Sequence, residues 1–282
     1  MTMADVKKTS PYMLILMYAV VIVFTILAIY PIFWLIIQSF KTTQEYMTTS
    51  KLSFPKTWFF KNYPISWTNG KFGILMINSV IYTSVTVVAV LVLSFMAGFA
   101  FAKLPSKLTP ILHGCFIIGI LLTLQSIMVP LFLMINAVGL YNTRLGVLIS
   151  YIGIGLPIGV YLSTEYIKGI PNEVLESARI DGAKYLRIFR SIVLPIAAPV
   201  AVTVSILQVT GTWNEFMIIN ILVSTLELKS LPVGINQFSG ALASDFGKQF
   251  SALVIGMLPM IVFYMIFRKQ ITKGVAAGAV KG

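Results

Sequence analysis

The chain is 282 residues long, 57% hydrophobic and only 11% charged, where a soluble globular protein carries about 25% charged residues. Several apolar runs exceed the ~20 residues that cross a bilayer, which excludes a soluble fold and predicts an all-α polytopic membrane protein with six transmembrane helices. The net charge of +12 comes from basic residues scattered among loops, without a soluble basic domain, so they read as topology signals and no nucleic-acid partner is expected.

Residues 1–11 are short and polar, with Lys7 and Lys8. The first span, about 12–37, is too long for a signal-peptide core and no Ala-x-Ala site follows it, so it is expected to be retained. Its end carries Tyr30, Phe33 and Trp34, aromatics suited to an interface. Residues 41–73 read as a polar loop spotted with Trp58, Tyr63 and Trp67. In the second span, about 74–102, Ser94, Gly98 and Ala102 recur every four residues, a spacing that lets helix backbones approach closely; chance in an Ala/Gly-rich helix is the plainer alternative. A basic turn follows. The third span, about 111–138, is interrupted by Gln125, Ser126 and Pro130, and a kink is predicted at Pro130. It also holds the single His113 and the single Cys115, which leave no disulfide framework and no thiol metal site. The fourth span, about 145–167, has Gly155 and Gly159 around Pro157. A polar loop, 168–195, leads to the fifth span, about 196–222, the least apolar. Residues 224–248 are polar and rich in turn formers. The sixth span is about 250–267, and a basic tail ends the chain. No internal repeat or linker is apparent, so 1–282 reads as a single transmembrane domain.

The polar loop organises the rest. It mixes charge (Glu173, Glu176, Arg179, Lys184, Arg187, Arg190) with apolar side chains (Val174, Leu175, Tyr185, Ile188, Phe189). Pro171 suits a first helical turn, and a short helix is predicted to run to about Ile180. Asp181-Gly182 breaks it, and Asp181 is placed to cap a second helix running toward Pro195. Glu176-Ser177-Ala178, Gly182 and Ile192-Val193-Leu194-Pro195 keep the spacing of a known signature: Glu-Ala-Ala, three residues, Gly, nine residues, Ile-x-Leu-Pro. The stretch thereby resembles the integral-membrane subunits of binding-protein-dependent ABC importers, with Ser177 in place of the first Ala. The resemblance implies a type I permease fold. It also implies a cytoplasmic coupling helix, with Glu176, Ser177, Ala178, Arg179, Asp181, Gly182, Tyr185 and Phe189 meeting a groove of the ATP-binding subunit. The plainer reading is an amphipathic interfacial helix.

Nothing in the sequence hydrolyses ATP. There is no Gly-x4-Gly-Lys-Ser/Thr loop; Gly247-Lys248 lacks both the earlier Gly and the hydroxyl. The chain is therefore expected to be non-catalytic and without a cofactor or metal of its own, and the resemblance implies that ATP and Mg are bound by a partner ATPase. The ending of the first span, the stretch Trp213-Asn214-Glu215-Phe216 and the tail Gly278-Ala279-Val280-Lys281-Gly282 are similar to the sugar-importer, maltose-type branch, and to its smaller six-helix subunit. The implied partners are a second homologous permease subunit, two ATP-binding subunits or a homodimer of one, an extracytoplasmic solute-binding protein, a carbohydrate substrate and membrane lipid. An ABC permease for a polyamine, peptide or phosphonate is an alternative. An ion-coupled secondary transporter is another, though it would want more intramembrane carboxylates or His than this chain offers.

Polar residues inside apolar spans need partners or water. Gln208, Thr212 and Glu215 fall at i, i+4 and i+7, on one helix face; with Asn214 they are candidates for the substrate path, and Gln125 and Asn136 are weaker ones. The competing reading is structural: Asn214 and Glu215 satisfy neighbouring helices. In the outer segment, Pro232, Gly234, Asn236, Gln237 and Phe238 occupy the place where maltose-type relatives contact the binding protein, with a plain re-entry loop as alternative. With both termini inside, thirteen of the 21 Lys and Arg are cytoplasmic, which favours a bacterial inner-membrane protein with N-in and C-in topology. The five Lys of the 41–73 loop dissent.

Overall fold

The computed structural model describes residues 11–104, 106–238 and 245–279, with side chains for 12–104, 106–238 and 245–270. Lys7, Lys8 and the tail residues Val280-Lys281-Gly282 lie outside the described residues. The described chain is helical, without strands: α1 Pro11–Gln38, α2 Thr43–Thr48, α3 Asn62–Asn69, α4 Phe72–Lys103, α5 Thr109–Leu121, α6 Leu124–Ala137, α7 Arg144–Lys168, α8 Asn172–Ile180, α9 Tyr185–Ile188, a π-turn Phe189–Val193, α10 Leu194–Ile196, α11 Ala198–Trp213, α12 Met217–Leu222, α13 Leu231–Asn236 and α14 Phe246–Ala279. Among these, four helices (α1, α4, α7 and α14) are long and apolar enough to cross a membrane. The count is six if each of two bent pairs is one span, α5 with α6 at 112° and the Tyr185–Ile196 segment with α11 at 75°.

The helices form two compact units, the described parts of 1–69 with 237–255, and of 70–236 with 256–282. In the first, the stretch read as a loop is organised by hydrogen bonds. Asn62 is buried and its side-chain amide donates to the Ser39 and Lys41 carbonyls, both at 2.8 Å. Ser66 and Ser251 share a hydroxyl hydrogen bond of 2.7 Å. Lys41, one of the dissenting lysines, is buried and donates to the Ser50 carbonyl and the Ser53 hydroxyl.

In the second unit, α4 and α7 form the most extensive helix pair. They run parallel: Asn78 meets Arg144, Tyr82 meets Tyr151, and Ser94 accepts from Ser163 at 2.7 Å. The small-residue stripe is what permits this. A Cβ on Gly98 would collide with the Ser163 side chain, and one on Gly159 would press on Ser94. Parallel α4 and α7 require the chain between them to return across the same thickness, and α5–α6 make that return. The break in this pair falls at Leu122–Thr123, where both residues are extended, and not at Pro130, which α6 carries in its interior. Proline removes one helical hydrogen bond, whereas two successive extended residues end one helix and start another.

α11 runs back antiparallel to α7. It begins beside the α4 and α7 C-terminal ends, where Val200 and Val204 join a core with Phe95, Phe99 and Ile167. Past its own end, Leu222 accepts from the Asn142 N–H at 2.9 Å. The fifth span is not continuous: α11 stops at Trp213 and α12 starts at Met217.

Candidate functional site

The segment that joins α7 to α11 projects from the end of the unit where α4 and α7 finish. Pro171, extended at φ −57° and ψ 139°, starts α8 as its N-cap. The far end of α8 closes in a Schellman motif. The Ala183 N–H donates to the Ala178 carbonyl and the Gly182 N–H to the Arg179 carbonyl, both at 2.9 Å, with Gly182 at φ +78°. That conformation costs an ordinary L-residue about 1–2 kcal/mol, so Gly is the residue the turn requires. Asp181 is the C-cap of α8 and does not cap the next helix; that place falls to Lys184 at ψ 157°, without a side-chain bond. The Schellman turn uses Gly182 and Ala183 to close α8, which carries Asp181 too far upstream.

One side of this knuckle is rooted. Ala178 and Ile188 are buried, and Leu175, Ala183, Phe189 and Ile192 pack with them on Phe99, Ile167, Ile170 and Val193. The Phe99 and Phe189 rings lie 5.4 Å apart. Ala178 is thus a packing position in this core. Ser177 turns its hydroxyl back to the Glu173 carbonyl at 2.9 Å, satisfying it within the helix, which is why Ser serves where the signature has Ala.

The other side is open. Glu173, Glu176, Ser177, Asp181 and Tyr185 are exposed. The Arg179 guanidinium lies 4.4 Å over the Tyr185 ring and donates to its hydroxyl, tying the two helices of the knuckle together. Three apolar side chains absent from the candidate set also point outward: Ile180 at 86% exposure, Leu186 at 64% and Val174 at 37%. The signal for Ile180 was its position two residues after buried Ala178, about 200° around the helix. A cleft of about 380 Å³, lined by Phe99, Lys103, Leu175, Glu176, Arg179 and Tyr185, separates the knuckle from the end of α4.

The other candidates scatter. Gln208 donates to Thr212 at 3.0 Å and packs its amide on Gly155 of α7. Glu215 leaves their face, because α11 has ended two residues earlier. Its carboxylate accepts from the Tyr151 hydroxyl at 2.7 Å and from the Ile218 and Ile219 N–H groups at 2.7 and 3.2 Å. It therefore caps α12 and holds it on α7. Asn214 is exposed and donates to the Thr210 carbonyl at 2.9 Å. Gln125 and Asn136 are exposed at opposite ends of α6. In α13 Asn236 is exposed and Pro232 half-buried, and just past its end Gln237 is exposed and Phe238 half-buried. Gly234 is buried against Phe72 and Leu75, where it serves as a packing contact.

Residues 91–277 match the model of the family described as binding-protein-dependent transport system inner membrane component. The chain is 32% identical over 280 residues to a putative ABC transporter permease protein of Caldicellulosiruptor, covering 99% of this chain and all of the other. It is 29% identical to the diacetylchitobiose uptake system permease protein of Streptomyces coelicolor, over 93% of this chain and 87% of that one. Among solved structures, a chain of a bacterial ABC transporter involved in import of the acidic polysaccharide alginate superposes with a TM-score of 0.77 at 22% identity, over 90% of this chain and 95% of that one. With two thirds of the chain inside the family model and its knuckle at the signature positions, the protein belongs to the binding-protein-dependent transport system inner membrane components.

Proposed function

We propose that the chain is one of two permease subunits of an ATP-driven oligosaccharide importer, and that residues 172–190 receive the motion of a separate ATP-binding subunit. One observation carries the reading. The knuckle is fixed on its inner side to a core shared by α4, α7 and α11, while its outer side leaves Ile180, Leu186 and, in part, Val174 uncovered among the described residues. A side chain as apolar as Ile180 at 86% exposure, set among Arg179, Asp181 and Lys184, suits a groove with an apolar floor and a polar rim.

In this reading the chain is not a catalyst. ATP and Mg are bound by two partner ATPase subunits, a second permease subunit completes the path, and a solute-binding protein delivers substrate opposite the knuckle. The knuckle is cytoplasmic, and so are both termini in the bacterial inner membrane. The carbohydrate class rests on sugar-transport relatives such as the diacetylchitobiose uptake permease. Exposed Asn214, Gln125 and Asn136 are among the polar groups of the spans left for water, solute or the second permease subunit, while Gln208, Thr212 and Glu215 support the path from behind. Asn236 and Gln237 are the residues offered to the binding protein.

The test is a crosslink. In a Cys115→Ser background, Ile180→Cys is expected to capture the ATP-binding subunit of the assembled complex in membranes. A preparation competent for uptake in which that cysteine never captures a nucleotide-binding protein would refute the proposal.

A further inference from the structure

We propose that Lys103 is a positioning residue that locks the end of α4 to the start of the coupling helix, so that α4, α7 and α8 move as one body. The proposal rests on the coupling role of the knuckle and extends the driven part of the molecule to the second span. Lys103 is the last residue of α4. Its ammonium group donates to the Ile170 carbonyl at 2.6 Å, to the Asn172 side-chain carbonyl at 2.8 Å and to the Lys168 carbonyl at 3.4 Å. An ammonium has three N–H donors, and all three acceptors lie in the five residues where α7 ends and α8 begins. The Lys168 carbonyl closes α7, at the negative end of its dipole, where a cation is favoured and orphan carbonyls need donors.

The backbone explains why such a tie is needed. Three residues, 169–171, join α8 to α7, so any push on α8 reaches α7 directly. α4 has no covalent route to α8 shorter than the whole of α5–α7. Its other contacts with the knuckle are apolar, with Phe99 and Ala102 in the core that also holds Leu175, Ala178 and Phe189, and apolar contacts tolerate sliding because they are non-directional. A cation shared among three oxygens does not slide, since each hydrogen bond weakens steeply once bent or stretched. A cleft lies beside it, lined by Phe99 and Lys103 of α4 and by Leu175, Glu176 and Arg179 of α8.

The experiment uses the assembled complex with its ATP-binding subunits, in the Cys115→Ser background. Spin labels go on Met96→Cys, exposed on α4, and Ile180→Cys, exposed at the tip of α8. With Lys103 present, the distance between them is expected to stay single and unchanged between the nucleotide-free and the ATP–vanadate states. In Lys103→Met the distribution is expected to broaden and to shift when ATP and vanadate are added, and Lys103→Arg is expected to restore the single distance. A Lys103→Met complex that keeps the parent distribution in both states would overturn the proposal. Should Lys103→Met fail to assemble, Asn172→Ala decides: this exposed residue loses one acceptor, and an unbroadened distribution there overturns the tie. Failure of the coupling reading is separately visible, as an Ile180→Cys variant that captures no ATP-binding subunit even when Lys103 is intact.

Discussion

The knuckle at 172–190 and the break at 214–216 are both places where polar residues interrupt an apolar run, and they resolve the interruption in opposite ways. At the break, the charged group finds its partners in the same chain: Glu215 takes three hydrogen bonds from α7 and α12, while Asn214 beside it stays exposed. At the knuckle the apolar groups turn inward, on Ala178 and Ile188, and charge and Ile180 are left outside. A polar residue with its partners in its own chain holds the fold; the mixed outer surface of the knuckle is the one that the proposed coupling assigns to another molecule. The pattern of polarity in the sequence is the same in both, and only the side-chain geometry separates them.

The largest expected effect is at the knuckle. Gly182→Val forces a β-branched side chain into φ +78°, a cost of at least about 1–2 kcal/mol, and the chain escapes it by undoing the Schellman turn. No side chain stands within 4 Å of the Cβ position, so the fold of the spans is untouched. Membrane content measured by immunoblot is expected to match the parent, while stimulation of ATP hydrolysis by loaded binding protein is lost. Full stimulation in Gly182→Val would erase the distinction drawn between the two regions.

Next comes the break. Glu215→Ala leaves the Tyr151 hydroxyl and two α12 N–H groups without their acceptor, and hydrogen bonds to a charged group are worth about 1.5–3 kcal/mol. The thermal midpoint and yield of the detergent-solubilised complex are expected to fall, with Glu215→Gln between Ala and parent, because one amide oxygen remains to accept. Tyr151→Phe alone is expected to cost about 1 kcal/mol and nothing further in the Glu215→Ala background, the sign of a direct pair. Additive losses would show that Tyr151 and Glu215 act separately, and unchanged yield and midpoint in all three would show that Glu215 is not structural.

What the sequence made legible follows the same division. The boundaries of α8 and the Gly182 turn were readable because a glycine and a spacing act locally. Ser94 and Gly98 were readable as a close-packing stripe because helical period alone puts them on one face; that the face meets α7 needed the fold. The expected kink at Pro130 was misplaced because proline marks one missing hydrogen bond, while the extended pair Leu122–Thr123 carries no compositional mark. Asp181 looked like an N-cap because capping chemistry is local, but the Schellman turn shifts the next helix by three residues. The 41–73 stretch hid α2, α3 and buried Asn62, whose partners at Ser39 and Lys41 lie more than twenty residues away. Glu215 could be read both ways from sequence, since a carboxylate in an apolar run needs a partner without saying whose.

The smallest expected effect contrasts two carboxylates. Glu227, between α12 and α13, accepts from Lys71 at 2.6 Å, yet both side chains are about half exposed, at 49% and 48%. The hydrogen bond from Lys71 is the main reason its carboxyl sits below the ordinary glutamate range, with a backbone hydrogen bond and the Lys71 charge adding to it. A depressed carboxyl pKa stabilises the fold above the unfolded value and loses that contribution as pH falls through the folded one, so whatever this pair contributes is present at neutral pH and is lost only below about pH 4. At neutral pH an exposed pair competes with water and salt on equal terms. Glu227→Gln is therefore expected to leave the thermal midpoint at pH 7 unchanged within error, where Glu215→Gln lowers it. If the two substitutions cost the same, burial and in-chain partners would not be what separates a structural carboxylate from a surface one, and the reading of the 214–216 break would lose its physical basis.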